Sequence, residues 1–180
     1  MSRLPYVEPS DAPEHVREAL DRLPPLNIFK LVANAETCFR PFLRLGNAIL
    51  TKQELDPLLR ELAILQTAKL TPAEYEWIQH VGIAKAVGAT DEQVEAIDRG
   101  DVDAECFSDD QKLVLEFTTQ VVRDARPSDE LFARTHERLS PREIVELTLA
   151  IGYYMAIARV MEVADIDLDE PLGGTLVERR

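Results

Sequence analysis

Residues 56–87 read DPLLRELAILQTAKLTPAEYEWIQHVGIAKAV. Asp56 precedes Pro57 and Thr71 precedes Pro72. Each pair sets a capping oxygen ahead of a proline at the first helical position, where the missing N–H removes nothing the helix uses. Thr71 with Glu74 also fits the reciprocal capping box. The stretch predicts two helices, at 57–69 and 72–87, joined by the short turn Lys69-Leu70-Thr71 and therefore antiparallel neighbours. The same punctuation recurs along the chain. Ser140-Pro141 repeats the cap, and Thr90 with Gln93, Ser108 with Gln111 and Ser140 with Glu143 repeat the box. Gly88 and Gly100 stand where helices stop in the left-handed conformation. No Asn-Gly or Asp-Gly hairpin signal and no sustained period-two alternation is found. An all-α fold is predicted, a helical bundle with helices near 12–22, 36–50, 57–69, 72–87, 91–98, 109–124, 128–138 and 141–162.

Outward from this core, the 180 residues are enough for one unit with a single core. Hydrophobic residues make up 46% and charged residues 29%, the balance of a folded globular chain. Twenty Lys plus Arg against 33 Asp plus Glu leave a net charge of −13, which repels phosphate backbones, and no basic patch offsets it. No nucleic-acid partner is expected. Cys38 and Cys106 lie too far apart for a metal or redox motif and read as two buried free thiols, with one disulfide between them as the alternative. The N-terminus shows no apolar signal region, and Leu147 to Ala158, bracketed by Glu146 and Arg159, is too short to cross a bilayer. No membrane partner and a cytoplasmic protein are therefore expected.

Residues 1–35 read as a Pro-rich arm with a short helix, wrapping over the core or reaching a neighbouring subunit. Residues 36–164 form the helical domain, and 165–180 an acidic, partly mobile tail. The run Asp165 to Glu170 lacks the central glycine and terminal glutamate of a calcium loop, so a solvated tail is expected. Pro57 to Leu62 faintly echoes Pro141 to Leu147, a possible duplication.

Polar residues stand where apolar ones belong. On 72–87, Ala73, Trp77, Ala84 and Val87 define an apolar stripe; His80 falls within it and Glu76 at its edge, as an i, i+4 pair able to touch. On the preceding helix Glu61 shares a face with Leu58, Leu65 and Ala68, whereas Arg60 and Thr67 point away. A carboxylate in an apolar stripe is costly unless paired, protonated or lining a wet pocket. Glu61, Glu76 and His80 are thus expected to converge. Two close carboxylates raise one pKa, and an imidazole beside a carboxylate is suited to proton transfer. The same trio also serves simply to tie two helices together. No second His or Glu-x-x-His pair accompanies them, so no metal and no cofactor is expected. Glu146, sharing a face with Ala150 and Tyr153, is expected to pair with Tyr153, Tyr154 or Arg159. Tyr75, Trp77 and Tyr154 read as packing groups.

The segments Arg60 to Ala68, Glu74 to His80, Ala84, and Gly88 to Val94 resemble the carboxymuconolactone decarboxylase family, which shares its helical fold with the alkylhydroperoxidase D proteins. The resemblance covers roughly residues 45–130. It implies an all-α subunit assembling into trimers or hexamers with its site near subunit contacts. Glu61 matches the peroxidase branch's proton-handling glutamate and His80 its histidine. That branch's Cys-x-x-Cys is here Ala73 and Glu76, so the thiolate that peroxide reduction requires is missing. The Glu76-x-x-x-His80 form resembles the decarboxylase branch. There a carboxylated lactone loses carbon dioxide and the resulting dienolate is protonated, without a cofactor. The resemblance casts His80 as proton donor or relay, Glu76 as the group that orients it, and Glu61 as the group sharing or supplying the proton. Three readings follow: a small-molecule lyase or proton-transfer enzyme acting on a lactone or carboxylated ring; a residual peroxidase dependent on Cys38 and Cys106; and a non-catalytic oligomeric ligand-binding protein.

Overall fold

The structure, a computed structural model, describes residues 1–172. After a single 3-10 turn at Pro9–Asp11 come α1 (Glu14–Leu20), α2 (Asn27–Val32), α3 (Glu36–Thr51), α4 (Pro57–Leu70), α5 (Glu74–Ala86), α6 (Asp91–Arg99), α7 (Asp109–Asp124), α8 (Asp129–Arg138) and α9 (Pro141–Ala164). No strand occurs among the described residues, and the predicted all-α class holds.

Most helix starts arise as the local chemistry dictates. The Asp56 carboxylate accepts from the N–H groups of Leu58 and Leu59. Thr90–Gln93, Ser108–Gln111 and Ser140–Glu143 each close a complete capping box. Thr71 does not. Its N–H and its hydroxyl both turn back to the Thr67 carbonyl and finish α4, so α5 starts two residues later than predicted, from Ala73 with no side-chain cap. The short α2 was not anticipated, since six residues hold less than two helical turns and show no period to read.

α4 is the axis of the bundle. Every residue from Arg60 to Ala68 is buried, because α5, α7 and α9 pack around it. A helix covered on all sides has no solvent face. The expectation that Arg60 and Thr67 point away is therefore overturned: Arg60 is 3% exposed and Thr67 fully buried. On one flank Ala63 joins Val114 and Phe117 of α7, Leu131 of α8, and Leu147 and Ile151 of α9. On another Leu62 and Leu65 meet Ala84 of α5 and Ile97 of α6.

The N-terminal arm wraps over its own chain. Val16 and Leu20 pack on Phe39 of α3, and the Arg3 N–H donates to the Ala164 carbonyl at 2.6 Å. The acidic segment after α9 is held as far as Leu172. Asp167 accepts from Ser2 N and the Tyr6 hydroxyl, and Asp169 accepts from Asn27 N and the Tyr75 hydroxyl. A free solvated tail is not what residues 165–172 form; Gly173-Gly174 and the rest of the expected tail lie outside the described residues.

α9 runs for 24 residues, well beyond the apolar stretch read from the sequence, and is long and apolar enough to cross a membrane by length and composition. It packs instead as a core helix, burying Leu147, Ala150, Ile151, Tyr154, Ala158, Met161 and Ala164 against the bundle. Leu147→Ala is expected to cost about 2–5 kcal/mol by leaving a cavity beside α4. Urea denaturation followed by circular dichroism measures the loss, and a change below about 1 kcal/mol would contradict the packing described.

Candidate active site

The tight connection after α4 brings α5 back alongside it, which sets Glu61 of α4 opposite His80 of α5. Glu61 Oε2 lies 2.8 Å from His80 Nδ1, and Arg60 Nε donates to Glu61 Oε1 at 3.1 Å. All three are buried, Glu61 completely. A carboxylate beside a guanidinium remains an acceptor on its other oxygen, so Nδ1 donates to Glu61 and Nε2 is the ring nitrogen left for another partner. Tyr154 of α9 presses edge-on against the imidazole, with ring centroids 4.7 Å apart.

Glu76 is different in kind. It is 2% exposed, and neither carboxyl oxygen has a hydrogen-bond partner among the described residues. Burial pushes this carboxyl well above the ordinary carboxylate range, and the negative charge on Glu61 adds to the push. Glu76 therefore holds a proton where Glu61 holds a charge. The roles read from the sequence are corrected here: Glu61, from the neighbouring helix, orients His80, and Glu76 makes no hydrogen bond to it. The inward face of α5 also lies about one residue round from the expected stripe. Tyr75, Glu76, Gln79, His80, Ile83 and Ala84 are buried, while Trp77 and Val87 are only partly so.

Glu76 and His80 line a cavity of about 360 Å³ between α5, α3, α9 and the N-terminal arm. Its walls are mostly apolar, with Leu43, Leu50, Ile83 and Ile157 among them, and Tyr75, Tyr153 and Tyr154 add hydroxyls. Burial pushes all three phenols up, so they stay neutral. Tyr153 stacks on Phe42 at 4.5 Å and donates to the Phe42 carbonyl. Gly46 makes room for it, since a Cβ there would meet the Tyr153 hydroxyl and ring. Gln79 lines the same cavity and accepts from Leu172 N at 3.2 Å, tying down the C-terminal segment. Arg60, Gln79 and Tyr153 were not read from the sequence as part of the site. Gln79 carried a signal in its spacing, one residue before His80 and three after Glu76.

Other expectations resolve elsewhere. Glu146 accepts from Glu54 N, Leu55 N and Arg142 Nε rather than pairing with a tyrosine or Arg159. Burial pushes its carboxyl up, but the Leu55 N–H, the Arg142 guanidinium and the Glu54 N–H outweigh that and hold it below the usual range. Trp77 packs outside the cavity, with Lys69 over its ring. Both cysteines are free, but Cys38 is exposed and Cys106 half-buried, not buried as expected. Neither lines the cavity.

The helical fold is alkylhydroperoxidase D-like. An alkylhydroperoxidase AhpD core structure, from an uncharacterized peroxidase-related protein of Ralstonia eutropha JMP134, superposes with a TM-score of 0.80 at 18% identity. The match covers 94% of this chain and 93% of that one. The debrominase Bmp8 in complex with 2,3,4-tribromopyrrole gives a TM-score of 0.75 at 17% identity over 94% of each chain. An uncharacterized peroxidase-related protein from Silicibacter sp. TM1040 gives 0.72 at 17% identity over 87% of this chain and 82% of that one. These likenesses establish the fold. No curated protein matches the chain. Residues 37–107 match the Carboxymuconolactone decarboxylase family, which bears out the resemblance read from the sequence.

The protonated state of Glu76 has a measurable consequence. At low pH the folded and unfolded chains both hold its proton. As pH rises past the ordinary carboxylate range the unfolded chain releases it and the folded chain keeps it, so stability falls by up to about 1.4 kcal/mol per pH unit. Glu76→Gln removes that fall. In urea denaturation the variant is expected to gain steadily on the wild type between about pH 5 and 7; a constant gap across that window would mean that Glu76 ionises in place.

Proposed function

We propose that the protein is a cofactor-free acid–base enzyme, a lyase or related proton-transfer catalyst, acting on a small lactone or carboxylated ring compound held in the cavity. The observation that carries this reading is the neutral, unpartnered Glu76 carboxyl beside an imidazole oriented by Glu61. A buried carboxyl with no protein partner is expensive, and a substrate atom is the partner it lacks. One group holds a proton to give, and the other holds a lone pair to receive one.

In a decarboxylation the bond to the departing carbon dioxide breaks and its electron pair passes into the conjugated ring as a dienolate. The apolar walls favour that dispersal of charge over the localised carboxylate. The Glu76 O–H then delivers its proton to the carbon that lost carbon dioxide, and solvent restores it. His80, with Nδ1–H fixed by Glu61, accepts a proton or a hydrogen bond at Nε2, and the Tyr154 hydroxyl, whose proton is not committed as those of Tyr75 and Tyr153 are, is a donor for developing charge on a lactone oxygen. A thiol-based peroxidase reading finds less support, since the cavity lining holds no cysteine among the described residues.

The reading is tested by screening lactones, ring carboxylates and peroxides for turnover. Glu76→Gln and His80→Gln are each expected to lower kcat by about 10²–10⁴-fold, whereas the Cys38→Ser/Cys106→Ser double variant retains it. Peroxide turnover lost only in the cysteine variant would replace the acid–base reading.

We also propose that the protein works in the cytoplasm as a homo-oligomer, a trimer or hexamer. Val145, Leu149, Val160 and Val163 are exposed and share one face of α9 with the exposed Gly152 and Ala156. An apolar stripe of this length on a −13 chain fits burial against further copies. Light scattering is expected to give a multiple of the 20.3 kDa chain mass, falling on Leu149→Glu; a monomer at micromolar concentration would refute the assembly.

A further inference from the structure

The cavity has one permanent cation among its described lining residues, Arg22. It lies outside the segment that matches the family, in the turn between α1 and α2. That turn is firmly seated. Leu20 before it and Leu26 after it are buried. Arg22 N–H donates to the Ala19 carbonyl and Leu23 N–H to the Leu20 carbonyl. Pro24 and Pro25 restrict the backbone that follows. Leu23, Pro24 and Leu26 line the cavity with Arg22, so the turn forms part of its wall and carries the exposed guanidinium to its rim.

The side chain of Arg22 makes no ion pair and no hydrogen bond among the described residues. Lys30, Arg40, Lys69, Lys85 and Arg134 of the same chain all face carboxylates. Other cations, Arg17 and Arg44 among them, also lack a carboxylate within ion-pair distance among the described residues, but of these only Arg22 lines the cavity. Within the cavity the one carboxyl available is that of Glu76, which burial keeps neutral.

We infer that Arg22 binds an anionic group of the substrate at the rim of the cavity, a ring carboxylate other than the one lost in the proposed decarboxylation. The inference rests on the reading of the cavity as a substrate site. The guanidinium fork matches a carboxylate in two parallel hydrogen bonds and fixes the orientation of the bound molecule. The apolar walls take the ring, and Glu76 and His80 address its inner end. Arg22 thus selects acids over neutral rings of the same shape, and it is a binding residue rather than a proton carrier.

Benzoate and its neutral isostere benzamide are suitable probes, with binding followed by ligand-observed NMR or calorimetry. The wild type is expected to prefer benzoate. Arg22→Gln weakens benzoate about tenfold or more while leaving benzamide unchanged, and Arg22→Lys falls between them. A wild type that fails to favour benzoate, or an Arg22→Gln variant that binds it within twofold of the wild type, overturns the assignment. The outcome is separable from that of the proposed chemistry. Selective benzoate binding lost in Arg22→Gln without turnover of any compound would sink the lyase reading alone, and turnover of a ring carboxylate with KM unchanged in Arg22→Gln would sink this one alone.

Discussion

A carboxylate with no access to water sits at the centre of this protein. Glu61 is fully buried, and an isolated charge there would be prohibitive. It is accommodated because the adjacent Arg60 turns inward to one oxygen and His80, from the next helix, meets the other. Much follows from this arrangement. α5 must lie against α4 in the register that lets the imidazole reach. The imidazole must present its second nitrogen away from Glu61. The edge of Tyr154 closes the remaining side.

The two glutamates show how surroundings assign chemistry to identical groups. Glu61 has a guanidinium and an imidazole and serves as the charged member. Glu76 has no partner, and burial together with the charge on Glu61 keeps it protonated. This difference between two like carboxyls comes from packing, not from residue type. The cavity they face is walled in part by the N-terminal arm, which lies outside the segment matched to the family. Glu61, Glu76 and His80 thus lie within the matched helical pair, whereas Arg22, Leu23 and Pro24 of the cavity wall lie outside it.

Much of the fold was legible because helix ends are chemical statements made within three or four residues. Ser108 with Gln111 and Ser140 with Glu143 bond to each other's backbone regardless of what lies further off. Thr71 was misread for the complementary reason: two helices competed for it, and the end of α4 took both its N–H and its hydroxyl. Arg60 and Thr67 were misread because helical periodicity assumes one wet face, and α4, enclosed by three helices, has none. The inward placement of Glu61, Glu76 and His80 was legible as a breach of the apolar pattern. Glu146 breached the same pattern and proved to be a cap for the backbone at Glu54 and Leu55, since an embedded carboxylate looks alike whether it meets a substrate or a peptide N–H.

Sequence alone thus determined that the chain is helical, where most of its helices begin and end, and that three ionisable groups turn inward, since these depend on hydrogen bonds and periodicities spanning only a few residues. The tertiary structure decided which carboxyl meets Arg60 and His80, which is left without a partner, and which nitrogen of His80 faces Glu61. It also brought Arg22, more than fifty residues upstream of Glu76 in the chain, to the same cavity. Those properties are set by desolvation and by charges on other helices, and no local pattern of residues encodes the distance between them.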